Sequence, residues 1–458
     1  MGASILVAAL SSGFGVLLLT ATGYIGSFIA ADPYIGDSQL ALAVIAILGV
    51  VLLALALYVG AIVTANTFST IVAGRTRRIA LMRLIGATAR SQRGEVAAQG
   101  LVVGAIGAAL GLVIGLALAA AGVAVGARLL GDTGYEVAQA TLLIPAAVVA
   151  LTTWAAAWVG SRRVLSVTPL QALGGSVERG HDEFARPARN VTAVILIGIG
   201  AALLGLGAMI GMANPLGVAP AFLGGLVSFT GLVLGATWIM PPLLRLVGRM
   251  FGGSAVARLA SENALRYPER SSRMAIGVVI GVTLVTMFAV AAETAQAVMI
   301  RSAEASGYPM DRLEVLDQFA AAMMLLVGVS AVIASVGLVN LLTIGIVQRR
   351  RELGLLRALG LSNAQIRRVV LLEATHITLT SVVFGLLLGV AYGWAGAQSV
   401  LGSVPLQMGI GAFLVLPAVP WITVGAVVLA AAALTLVAAV APTRLATRVA
   451  PVEALAAD

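Results

Sequence analysis

Apolar runs of about 20 residues recur along the chain, separated by short segments that hold nearly all of the charge. Each run is long enough to cross a hydrocarbon core ~30 Å thick as a helix. Backbone polar groups in such a core must be satisfied within the protein, so the runs predict helices rather than open sheet. The short alternating segments of a transmembrane barrel are absent from the sequence. The predicted spans are 4–30, 39–66, 96–126, 140–160, 191–212, 219–244, 273–298, 318–346, 369–395 and 420–441. The expected fold class is all-α, a polytopic transmembrane helical bundle of about ten spans.

Composition sharpens this. Of 458 residues, 60% are hydrophobic and 10% charged, with mean hydropathy +1.05, where a soluble domain carries about 25% charged residues. A net charge of +9 could suggest nucleic acid, but its distribution argues for a membrane. All 28 basic residues are Arg, and 25 of them fall in one alternating set of loops. The other set holds Arg128, Arg301 and Arg312, with acidic residues such as Asp32, Asp132, Glu136 and Asp311. The positive-inside rule then places both termini in the cytoplasm, and a bacterial cytoplasmic (inner) membrane is expected. Cysteine is absent, which excludes disulfides, thiolate metal sites and cysteine nucleophiles. The first 20 residues lack a basic n-region and read as a first span.

One segment occurs twice. Residues 66–100 align without gaps to 340–374, an offset of 274 (340 minus 66). Asn66 pairs with Asn340, Arg75 with Arg349, Arg77 with Arg351, Arg83 with Arg357, Gly86 with Gly360 and Arg93 with Arg367. The tails match too, 161–173 with 443–455. Two modules of the same orientation follow, a parallel repeat. The first covers 1–175 with an elbow at 67–95, and the second 254–458 with an elbow at 347–368. A linker and connector spans five and six fill 176–253.

The second elbow has a readable shape. Leu353, Leu356 and Leu359 lie at helical spacing, with Arg349, Arg350, Glu352 and Arg357 between them. Gly360 can end that helix with a positive φ, and Ser362 supplies an N-cap for the next. A stalk, a sharp turn and a short amphipathic helix at the inner surface are expected. The Arg side chains can anchor such an element to lipid head groups, or dock a cytoplasmic partner.

The string Glu352-x-Gly354-x-x-Arg357-Ala358-x-Gly360 resembles the elbow of FtsX-like (MacB-type) ABC transporter permeases. Residues 257–277, with Asn263, Arg266, Pro268 and Arg270, resemble that family's approach to a module's first span. The two-module, ten-span plan is similar to the BceB-like subgroup. The resemblance implies P-loop ABC ATPase subunits docked on the elbows, two for each permease chain, with ATP-Mg bound by the partner. ATPase-coupling residues would then be Arg75, Arg77, Arg83 and Gly86 in the first elbow, and Arg349, Arg351, Glu352, Gly354, Arg357 and Gly360 in the second. A Walker A loop needs a lysine, and the chain has none, so hydrolysis is expected in another chain and no catalytic residue in this one. The elbows differ, because Arg78 and Ala80 stand where the second has Glu352 and Gly354. The links 31–38 and 299–317 are too short for the extracytoplasmic domain of many relatives. That favours export or extraction of an amphipathic compound (lipid, peptide or drug, such as an antimicrobial). The alternatives are an ATPase-driven mechanotransmission scaffold signalling to an extracytoplasmic lipoprotein or sensor kinase, and a proton-coupled secondary transporter.

Other polar groups carry less. Glu373 and His376 share a helix face near the inner end of span nine and read as interfacial, with a proton relay as the other reading. Glu293 lies near the outer end of span seven. His181, beside Asp182 and Glu183, reads as a solvated charge cluster, so no metal site is expected. The Gly-rich stretch 104–115 has small-xxx-small spacing suited to close helix packing.

Overall fold

The computed structural model describes residues 2–31, 76–130, 134–162, 187–250, 255–266, 268–306, 360–403 and 414–446, with isolated positions between 50 and 65. Every regular element among them is helical. In chain order these are α1 (Gly2–Ala31), α2 (Thr76–Leu84), α3 (Ala89–Leu130), α4 (Leu143–Gly160), α5 (Pro187–Gly211) and α6 (Val218–Gly248). They continue with α7 (Ala255–Arg266), α8 (Pro268–Ser306), α9 (Asn363–Leu401) and α10 (Trp421–Ala446). Seven are long and apolar enough to cross a membrane: α1, α3, α4, α5, α6, α8 and α9. In α10 the apolar stretch Trp421–Leu436 is shorter. The expected spans 39–66 and 318–346 lie outside the described residues, apart from isolated helical positions in the former. The chain is an all-α polytopic membrane protein.

The chain divides into two compact units, Met1–Val177 and Glu178–Asp458. The first is built around α3, whose glycines form two seams. A Cβ added at Gly115 would lie 2.8 Å from Gly13 Cα, and one at Gly111 would run into Ala9 O and Ser12. Gly104 faces α4 in the same way, 3.0 Å from Ala150 O and 2.9 Å from Thr153 Cβ. Without side chains in the way, α1 and α3 approach closely enough for Ser12 Oγ to donate to Ala108 O at 3.0 Å. The small-xxx-small spacing is therefore a packing device. At the far end of α3, Tyr135 closes edge-on against Tyr24, ring centroids 5.9 Å apart.

The second unit has α8 at its centre, with 89% of its apolar window buried. Pro268 opens α8 at N1, where a missing N–H costs nothing. Gly385, Gly389 and Gly393 of α9 lie against α8, and Thr283 Oγ1 donates to Gly385 O at 3.2 Å. Gly385 and Gly389 stand 274 residues after Gly111 and Gly115 (385 minus 111, 389 minus 115), so the seam recurs at matching positions. The hairpin α5–α6 interlocks through its own glycines, Gly200 against Gly224 and Gly207 against Gly217. It joins α9 through Ser228 Oγ and Tyr392 Oη, 2.9 Å apart, and through an edge contact of Phe229 on Tyr392. Thr378 and Thr435 hydroxyls, 2.9 Å apart, join α9 to α10. The segment 414–420, which has no regular secondary structure, is tied to α8 and α9. Trp394 Nε1 donates to Val415 O, Val415 N donates to Gln398 Oε1, and Ala418 N donates to Thr294 Oγ1.

Candidate functional site

The elbows are built by local sequence. In the first, α2 ends in a Schellman motif, with Ala87 N donating to Met82 O at 2.9 Å across Gly86. Gly86 has φ +103°, in a region L-residues avoid, and only two other described residues, Gly134 and Gly360, share a positive φ. Thr88 then caps α3, its Oγ1 accepting from Ser91 N at 3.1 Å. In the second, Gly360 has φ +95°. Ser362 follows with a full capping box: Gln365 N donates to Ser362 Oγ at 3.3 Å, and Ser362 N donates to Gln365 Oε1 at 2.9 Å. The positive-φ turn and the N-cap of the second elbow are thus both where the sequence places them, and the first elbow repeats them at Gly86 and Thr88.

The element after the second turn differs from expectation, and the first matches what is found there. A short amphipathic helix separate from the span was expected. Instead α3 runs unbroken for 42 residues and α9 for 39, each on the order of 60 Å at 1.5 Å per residue. No proline interrupts either segment, so extending a nucleated helix wins over stopping it. Each elbow is therefore the capped end of a transmembrane rod.

Of the sequence-predicted coupling residues, Gly86 and Gly360 form these turns, and Arg77 and Arg83 lie on α2. Arg75, Arg349, Arg351, Glu352, Gly354 and Arg357 lie outside the described residues. Within α2, Ile79 and Ala80 are buried while Leu81, Leu84 and Ile85 are exposed. Ala80, the position of Gly354, is thus an inward-facing residue. Arg93 stacks over the Trp158 ring at 3.7 Å and donates through Nε and Nη2 to Trp158 O at 3.3 and 3.1 Å. This fastens the start of α3 to the end of α4 in a planar geometry that suits guanidinium and not ammonium.

Glu373 and His376 differ most from the sequence reading. Both are packed inside the protein, 4% and 1% exposed. Asn263 Nδ2 donates to Glu373 Oε2 at 2.8 Å. His376 Nε2 donates to Leu244 O at 2.7 Å, which fixes the ring proton on Nε2. Gly248 leaves room for that imidazole, since an added Cβ would sit 3.2 Å from it. Asn263 belongs to the string quoted for the approach to a module's first span, and its partner is a feature the sequence did not disclose. Among the described residues no group of acidic or histidine side chains could hold a metal ion.

An all-helical membrane bundle with paired glycine elbows defines the class. The profile of the family described as FtsX-like permease C-terminal matches residues 50–169 and 324–451, more than half of the chain, and the chain belongs to that family. The two matches begin 274 residues apart (324 minus 50), the offset of the elbow alignment. The chain is 32% identical over 66 residues to the ABC transporter permease YtrF of Bacillus subtilis (strain 168), covering 14% of this chain and 15% of that protein. It is 30% identical over 78 residues to the ABC transporter permease YknZ of the same organism, covering 17% and 19%. The chain thus spans under a fifth of the length of these relatives.

Proposed function

We propose that this chain is the non-catalytic membrane permease subunit of an ABC transporter, driven by ATP-Mg in separate P-loop subunits. The observation that carries the reading is the pair of elbows, each a positive-φ glycine and a hydroxyl N-cap at the tip of a continuous spanning helix, inside each family match. Such a tip offers a docking subunit a fixed handle on a rod. Both handles belong to one chain, so two ATPase subunits engage a single permease, the arrangement of the BceB-like subgroup. The absence of lysine agrees with hydrolysis residing elsewhere. The Arg distribution supports an inner-membrane location with cytoplasmic termini.

The work done is export or extraction of an amphipathic compound. Helix α8 continues to Ser306, leaving only residues 307–317 before the expected next span, too few for a folded domain. Force from the elbows therefore ends within the bilayer or at its outer surface, and not in a large extracytoplasmic arm.

The test is purification of the tagged chain from its native membrane in mild detergent. An ABC ATPase should co-purify, and R357E or G354D should reduce the amount bound and the hydrolysis rate. A chain that moves an amphipathic dye across vesicles with no ATPase attached would overturn the reading.

A further inference from the structure

We infer that Glu373 and His376 form a joint that passes movement of the second elbow to α7 and to the hairpin α5–α6. The inference rests on the ATPase-driven reading above. Both side chains lie on α9, within four turns of the Ser362 cap, and both leave their own helix for a neighbour. Glu373 takes the amide of Asn263 on α7, the helix that leads into α8. His376 donates to the Leu244 carbonyl of α6, seated against Gly248. A charged or polar group buried in a spanning helix has to find such a partner, and removing the partner is costly. Any axial or tilting motion of the α9 tip is therefore shared with α6 and α7.

The matching positions in the first unit are filled by different residues. Glu373 corresponds to Gln99 and His376 to Val102 (373 and 376 minus 274). Gln99 Nε2 donates to Glu95 Oε1 of its own helix at 3.4 Å, and Val102 is 58% exposed. Where α9 carries a carboxylate and an imidazole bonded to neighbouring helices, α3 carries an amide and an exposed valine.

The experiment uses the full chain with its co-purified ATPase. Because the chain has no cysteine, L216C gives a single label site at the far turn of the α5–α6 hairpin, where Leu216 is 59% exposed. Its reaction rate with a membrane-impermeant maleimide is measured without nucleotide and after trapping with ATP and vanadate. The expected result is a nucleotide-dependent difference that is lost in H376L and in E373L while bound ATPase and hydrolysis persist. H376Q, which restores an N–H donor, should recover it, and V102L should leave it intact. A difference that survives H376L and E373L overturns the joint, as does its absence in the unsubstituted complex. Loss of bound ATPase along with the difference also counts against it, because these residues lie away from the docking elbow. Failure of the ATPase-driven reading is distinct, since then no ATPase co-purifies at all.

Discussion

Two rods, α3 and α9, begin at matching positions, follow the same kind of turn and carry glycines at the same places, yet they end up in different company. Helix α3 is held by α1 and α4 through two glycine seams and by Arg93 on Trp158. Helix α9 shares the seam with α8 but adds polar ties to α6, α7 and α10, through Tyr392, His376, Glu373 and Thr378. The difference teaches that the repeat conserves the handle and the seam, while the polar residues decide what each rod drags with it.

This comparison can be broken at several points. The largest effect is expected at the seams. In G111A the new methyl would meet the Ala9 carbonyl, which cannot rotate away, whereas in G385A it would meet Val282 side-chain carbons at 2.9–3.0 Å. G111A should destabilise by about 1–3 kcal/mol and G385A by less, read as midpoints of unfolding in detergent by circular dichroism. Equal losses would mean that the two seams are equally tight.

Next come the turns. Nothing lies within 4 Å of a Cβ added at Gly86 or Gly360, so G86A and G360A are penalised by φ alone. Each should cost about 1–2 kcal/mol, and by similar amounts, in the same melt. A neutral G86A would show that the first turn is free to relax and would separate the two elbows.

The caps should separate the units slightly. S362A removes one half of a reciprocal box and should cost about 1 kcal/mol, whereas T88A removes a single bond and should cost less. Amide hydrogen exchange in the first turns of α9 and α3 checks this, with faster exchange expected in each variant. The smallest change is R93K. Losing the stacked, forked contact on Trp158 should cost ~0.5–1 kcal/mol and shift tryptophan fluorescence, while R367K at the matching position should leave it unchanged.

Much of this was legible in the sequence, for reasons that differ by residue. Gly360 announces a positive φ because few other residues tolerate one, and Ser362 two residues later announces a cap. The apolar runs announce spans because length and hydropathy are set by the bilayer. Helix continuity was not legible. Polar residues between Gly360 and the span look like a separate surface helix, but nothing in them stops helix propagation once Ser362 has nucleated it. The burial of Glu373 and His376 was hidden for another reason: their partners are 110 and 132 residues away, and one of these is a main-chain carbonyl with no sequence signature.

The glycine seams have one more consequence. Where helices mesh by large side chains, moving one along the other means lifting each knob out of its hole and changing rotamers. At Gly111 and Gly115 the rod α3 lies backbone to backbone on α1, with few knobs to lift. Such a surface behaves as a track: it resists separation of the helices but offers little friction to a slip along their common axis.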